Sequence, residues 1–145
     1  MVNLVKYKEY WQRLPERITG IGNVTFVAKS DDFGKIVQAM SPTALPMLWV
    51  LIPQSRGSGK TVDGFKERTI GVVFLMSKYD PQRKNEYDEL AYIQPIVEDI
   101  KRTMMDDIAR SCHILGSIDP STVQTLPETE VYKTLAGWSI SFVLD

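Results

Sequence analysis

Two apolar runs on either side of a glycine-bearing basic segment govern what this chain can fold into. Between Pro46 and Met76 it runs PMLWVLIP, then QSRGSGKTVDGFKE, then RTIGVVFLM. Met47 to Ile52 is apolar at every position, so both faces need cover, as in a strand at mid-sheet. The second run, about Arg68 to Lys78, is apolar from Val72 to Met76. Its β-branched Thr69, Ile70, Val72 and Val73 favour strand over buried helix. With no helix between them, the two runs predict an antiparallel pair joined by a long hairpin loop over residues 54–67.

The flanking segments alternate less simply. Leu4, Tyr7, Trp11 and Leu14 lie on one stripe of an amphipathic helix over residues 2–14, which Pro15 ends. Core packing is the simpler reading of that stripe, although Tyr7, Tyr10 and Trp11 near a terminus also suit a contact with a neighbouring subunit. VTFVA, Val24 to Ala28, is a short strand. Ser30, Asp31 and Asp32 supply an N-cap and first-turn acids for a short helix carrying Phe33, Ile36, Val37 and Met40.

The longest helical pattern follows the turn at Asp80 to Asn85. Leu90, Ile93, Val97, Ile100, Met104, Ile108 and Leu115 keep three- and four-residue steps, with Cys112 in the long gap. The expectation is a helix over 87–115, kinked or broken near Tyr92–Pro95 and capped by Gly116. Asp119 to Pro127 is expected to be an irregular connector. Glu130 to Leu144 ends in a strand whose Trp138, Ile140, Phe142 and Leu144 share one face. The order helix, strand, helix, strand, strand, helix, strand lacks regular β–α alternation. It predicts an α+β fold of about four mostly antiparallel strands with the long helix across one face.

Length and charge bound the function. At 145 residues the chain suits a single domain over 1–145, and such a domain buries about 68–70% of its unfolded surface without needing disulfides or metal. A net charge of −1 argues against general nucleic-acid binding, and no sequence-specific nucleic-acid partner is expected. The lysine- and glutamate-bearing start is not a signal peptide, and the six-residue apolar run from Met47 falls far short of the roughly 20 residues of a membrane span. With one cysteine, Cys112, no internal disulfide forms, and a reducing compartment is the simpler assumption.

The letters GSGKT invite a phosphate-loop reading, in which glycine-freed amides, a lysine and a hydroxyl hold phosphate and magnesium at a helix start. Gly59-Lys60-Thr61 fits the end of that motif, but Gln54 stands where its first glycine belongs. Val62-Asp63-Gly64-Phe65 does not start a helix either. A flexible, solvated hairpin loop is the better account. His113 beside Cys112 is not a nucleophile–base pair, because adjacent helical residues point apart, and one of each makes a zinc site improbable. The pairs Asp88-Glu89, Glu98-Asp99 and Asp106-Asp107 fit a solvated helix face. No catalytic residue, metal or cofactor is expected.

Charge is distributed unevenly. Arg56, Lys60, Lys66 and Arg68 make the loop basic, against Asp63 and Glu67. Glu86, Asp88, Glu89, Glu98, Asp99, Asp106 and Asp107 make the long helix acidic, against Lys101 and Arg102. Two such surfaces in one chain can meet head-to-tail between copies, or both can be ordinary solvated surface.

The long loop between two central strands, the helix YIQPIVEDIKRTM and the closing AGWSISFVLD resemble bacteriophage and prophage neck proteins, the tail-terminator and head–tail joining (tail-completion) group, over residues 46–145. The resemblance implies an α+β, ring-forming, non-enzymatic subunit, often hexameric in terminators, that works with other tail or neck proteins. It would sit in the bacterial host cytoplasm and, once assembled, in the virion. Subunit contacts would then involve Arg56, Lys60, Lys66, Arg68, Glu98, Asp99, Asp106 and Trp11. The alternatives are a nucleotide- or phosphate-binding protein using the GSGKT loop, and a small ligand- or partner-binding α+β domain.

Overall fold

A thirteen-residue strand, β4 (Lys66–Lys78), is the axis of the fold. In the computed structural model, which describes residues 1–29, 32–111, 114–129 and 134–144, it is hydrogen-bonded on both sides. One side holds β2 (Met47–Leu51) and then β3 (Gln54–Ser58); the other holds β6 (Leu135–Leu144). Neighbours on both edges and cover on both faces account for the unbroken apolar run from Val72 to Met76.

Two outer strands complete the sheet. β1 (Val24–Val27) pairs parallel to β2, from Val24 opposite Leu48 to Val27 opposite Leu51. β5 (Gln124–Glu128) pairs antiparallel to β6, from Gln124 opposite Ser141 to Glu128 opposite Gly137. The architecture is therefore α+β with a mixed sheet of six strands, where the sequence predicts about four. Both additional strands, β3 and β5, are polar and pair on one side, so neither carries an apolar signal. Pro127 lacks a backbone donor and sits in the outermost strand, where no further ladder needs it.

Three helices cover one face. α1 (Leu4–Gln12) starts at Asn3, whose side chain accepts from the Lys6 amide. Pro15 does not end the helical region as expected; it lies in the first turn of a second short helix, α2 (Leu14–Arg17), where its missing N–H costs nothing. α4 (Glu86–Ala109) starts at Asn85, which accepts from the Asp88 amide. Tyr7, Trp11 and Leu14 join Ile93, Val97, Ile100 and Met104 over Leu48, Val50, Val73, Leu75, Ile140 and Phe142 in one core. Each fully buried apolar side chain contributes about 1.5–3 kcal/mol relative to exposure. Gly71 on β4 makes this packing possible, since a Cβ there would run into the Phe142 ring and the Tyr7 hydroxyl.

The opposite face carries α3 (Asp32–Ala39), whose Phe33, Ile36 and Val37 pack over Trp49 and Met76. The Phe33 and Trp49 ring centroids are 5.1 Å apart. Asp32 lies in its first turn, whereas Ser30 and Asp31 are outside the described residues.

α4 departs from expectation at its end. Of the kink or break expected near Tyr92–Pro95, the break is absent, and Pro95 lies inside a continuous helix. It is on the exposed face, so the Ala91 carbonyl that loses its helical donor faces water. The helix stops at Ala109 rather than near 115. Ser111 takes a positive φ of 56° and its amide donates to the Ile108 carbonyl, the left-handed termination usually given to glycine. Gly116 is not the cap. Leu115 is fully buried all the same, reached by the turn that follows. Cys112 and His113 are outside the described residues.

Candidate functional site

The segment expected as a flexible hairpin loop over 54–67 is largely a paired ribbon. Gln54 to Ser58 pair with Ile70 back to Lys66, leaving residues 59–65 as the tip. Beyond Thr69, opposite Leu144 at the end of β6, the ribbon has no strand on that side among the described residues and stands out from the sheet as an arm. Its residues are exposed apart from half-buried Ser55 and Glu67.

A β-bulge sets which way the arm faces. Val50 is opposite Val73 and Gln54 is opposite Ile70, so Leu51, Ile52 and Pro53 stand against Gly71 and Val72 alone. The extra residue inverts the alternation. In β2 the even-numbered Leu48 and Val50 face α4, yet in β3 Arg56 lies opposite Arg68 on the other face. Ser58 lies opposite Lys66 on that same face. Arg56, Lys66 and Arg68 therefore share the face that farther along β4 carries Phe74, Met76 and α3. Like charges set directly opposite each other repel, and an arginine pair is tolerated here because the arm is solvated. Asp119, in the connector before β5, is held below the usual carboxylate range by the Ser121 hydroxyl and amide, with a smaller contribution from the Arg68 charge.

The tip settles the geometry of GSGKT. Gly59 has a φ of 119°, and a Cβ there would collide with the Gly64 carbonyl, so the turn requires glycine. The Gly64 amide donates to the Thr61 carbonyl and hydroxyl, both at 3.2 Å, and the Phe65 amide to the Val62 carbonyl. The Thr61 hydroxyl thus serves its own turn. Lys60 is exposed, and β4, not a helix, follows the tip, so no helix dipole or row of helix amides backs the lysine.

The acidic helix face is more self-contained than its sequence suggests. Glu98 pairs with Lys101 at 3.1 Å and Asp99 with Arg102 at 2.8 Å, both one turn apart on the exposed side of α4. Asp106 is exposed. Trp11 is a correction. It is fully buried, stacked on Phe142 with centroids 5.9 Å apart and edge-on to Tyr7 and Tyr10. It belongs to the subunit's own core and cannot contact a neighbour.

Two of the acids counted as solvated surface are internal. Asp107 accepts from Tyr10 Oη at 2.6 Å and from both Arg17 terminal nitrogens, at 2.7 and 2.9 Å. The Arg17 hydrogen bonds first, then that from Tyr10, hold its carboxyl below the usual range against the opposing effect of burial. This group ties α1 and α2 to the end of α4. Glu89 accepts from the Ser77 hydroxyl and from Lys84 Nζ, tying the start of α4 to β4. A signal existed for the first. Asp107 continues the stripe Leu90, Ile93, Val97, Ile100, Met104 at the next three-residue step, a position facing the core.

Among the described residues no three His, Cys, Asp or Glu side chains come together as metal ligands, and no helix is long and apolar enough to cross a membrane. Neither protein-family models nor curated proteins yield a match to this chain.

Proposed function

We propose that this chain is a non-enzymatic structural subunit of a phage or prophage tail or head–tail neck, self-associating head-to-tail into a ring. One observation carries the reading. The basic face of the arm and the acidic face of α4 lie on opposite sides of the same sheet and cannot meet within a subunit, which supports a contact between successive copies. Such a heterologous contact closes into a ring when the rotation per copy divides a full turn. Arg56, Lys66, Arg68 and the tip lysine Lys60 would approach Asp106, with Glu98 and Asp99 giving up part of their internal pairing. The arm would also bring exposed Val62 and Phe65 to the neighbour, adding apolar burial to charge steering. A nucleotide-binding role for the tip has less support, since Lys60 and Thr61 lie in a hairpin turn.

Light scattering coupled to size exclusion, with negative-stain imaging at high concentration, tests the proposal. Rings or closed oligomers are expected for the native chain. Arg56→Glu combined with Lys66→Glu should give monomers that still fold, and adding Asp106→Lys should recover part of the assembly. A native chain that stays monomeric at every concentration and salt tried would overturn the reading, as would magnesium-dependent nucleotide binding lost in Lys60→Ala.

A further inference from the structure

The end of the sheet away from the arm holds a cleft of about 630 Å³, between the loop that leads into β2 and the turn that joins β4 to α4. That size lies within the roughly 300–1,000 Å³ usual for small-molecule sites. Its walls are mainly apolar, built from Pro42, Leu45, Pro46, Pro81 and Tyr92. Three prolines and a tyrosine give it rigid walls, so little ordering entropy is lost when a ligand enters.

Its polar groups have unequal roles. Glu89 is 4% exposed, and a buried carboxylate costs several kcal/mol unless it is paired. The Ser77 hydroxyl and the Lys84 ammonium, 3.1 Å away, provide that pairing. Lys84 is held further by the Tyr92 ring, 4.2 Å from its centroid. Glu89 and Lys84 therefore balance each other's charge. Lys78 also lines the cleft, and its ammonium donates to the Met40 carbonyl at 3.3 Å, a neutral acceptor that uses one of its three N–H groups. At the rim, Arg83 and Asp80 are 3.8 Å apart and well exposed, so they add little field of either sign. The side chains that line the cleft carry one more positive than negative charge, Lys78, Arg83 and Lys84 against Asp80 and Glu89, with Glu86 close by at the wall residue Tyr79.

We infer that this cleft binds a small organic anion, a carboxylate or phosphate ester with a compact apolar body. The body lies against Leu45, the prolines and Tyr92, and the anionic group is fixed by Lys78. The site lies at the end of the sheet opposite the arm, away from Glu98, Asp99 and Asp106.

Titration of the full chain with benzoate, phenyl phosphate, benzyl alcohol and benzylamine, followed by amide ¹H–¹⁵N shifts, tests the inference. At least one of the two anions should saturate, moving the amides of Leu45, Lys78 and Tyr92. Which of them saturates tells a carboxylate site from a phosphate-ester site. Benzyl alcohol should bind about tenfold more weakly, the factor implied by losing one charge-assisted hydrogen bond. Lys78→Met should weaken the anion by a similar factor and Lys78→Arg should restore it. Leu45→Glu, at an exposed wall position, should block binding without loss of folding, monitored by the thermal midpoint. Shifts that fail to saturate or scatter outside the cleft, preferential binding of benzylamine, or an unaffected Lys78→Met would each overturn it.

Discussion

Replacing Asp107 with asparagine removes the one charge on which Tyr10 and Arg17 converge. A hydrogen bond to a charged group contributes about 1.5–3 kcal/mol, and three end on this carboxylate. Not all of that is lost. The asparagine carbonyl still accepts one donor, and the Arg17 side chain, 43% exposed, can turn to water. The expected loss is about 2–3 kcal/mol, below the roughly 3–5 kcal/mol for breaking a fully buried pair. For a chain of this length each kcal/mol moves the thermal midpoint by about 2–4 °C, so a fall of roughly 5–10 °C is expected.

The pH dependence gives a second check on the same pair. Asp107 has a folded-state pKa depressed below its unfolded value of about 3.9. Its contribution is therefore complete above that value and is lost as pH falls through the folded pKa. Urea unfolding of the native chain and the variant should show a constant gap from about pH 5 to 8 that narrows below about pH 4. Carboxylates common to both proteins cancel in the difference. A gap under about 0.5 kcal/mol at neutral pH, or one unchanged at pH 3, would refute the assignment. A cycle with Arg17→Met should show coupling well above the roughly 0.3–0.5 kcal/mol scatter of independent sites.

Trp11→Ala should cost about 3–5 kcal/mol, because it empties a fully buried site against Phe142 and Tyr7. Denaturant unfolding at protein concentrations where the chain is monomeric should show the full loss; a loss appearing only in the assembled state would return Trp11 to an interface. Pro95→Ala should stabilise α4, since it restores an N–H to the Ala91 carbonyl and removes a residue about 3 kcal/mol worse than alanine in a helix interior. The freer unfolded chain returns about 0.4–1 kcal/mol, leaving a gain of about 2 kcal/mol measurable by calorimetry. A lowered midpoint would mean that the proline ring makes a contact outweighing its backbone cost.

Much of the fold was legible in the chain because burial leaves a period. The two-faced apolar runs of β2 and β4, the stripe of α4 and the alternating face of β6 each report how many sides need cover. Those patterns determined an α+β fold, a central antiparallel pair, a long helix packed on the sheet, and a GSGKT segment that does not open a helix. Periodicity says that a residue is covered, not by what, and it says little about strands held at one edge. β3 and β5 are such strands, polar and paired on one side only, so only the neighbouring strand makes them strands.

Tertiary structure decided the rest. Pairing of β1 with β2 in parallel follows from where α3 packs, and the left-handed Ser111 ends α4 before its apolar pattern runs out. Asp107 and Glu89 look like solvated acids among others on α4, yet partners in α2 and β4 make them internal. The charge of Asp107 is tolerated because of donors in α1 and α2, far away in sequence, which no local window contains; Glu89 has a nearer partner in Lys84 and takes its second from Ser77 in β4. The bulge before β3 turns Arg56 to the side of Arg68 and Lys66, away from α4. Composition determined that the arm is basic; the alternation of β4 put Lys66 and Arg68 on one face, and one extra residue in the strand opposite brought Arg56 to the same face.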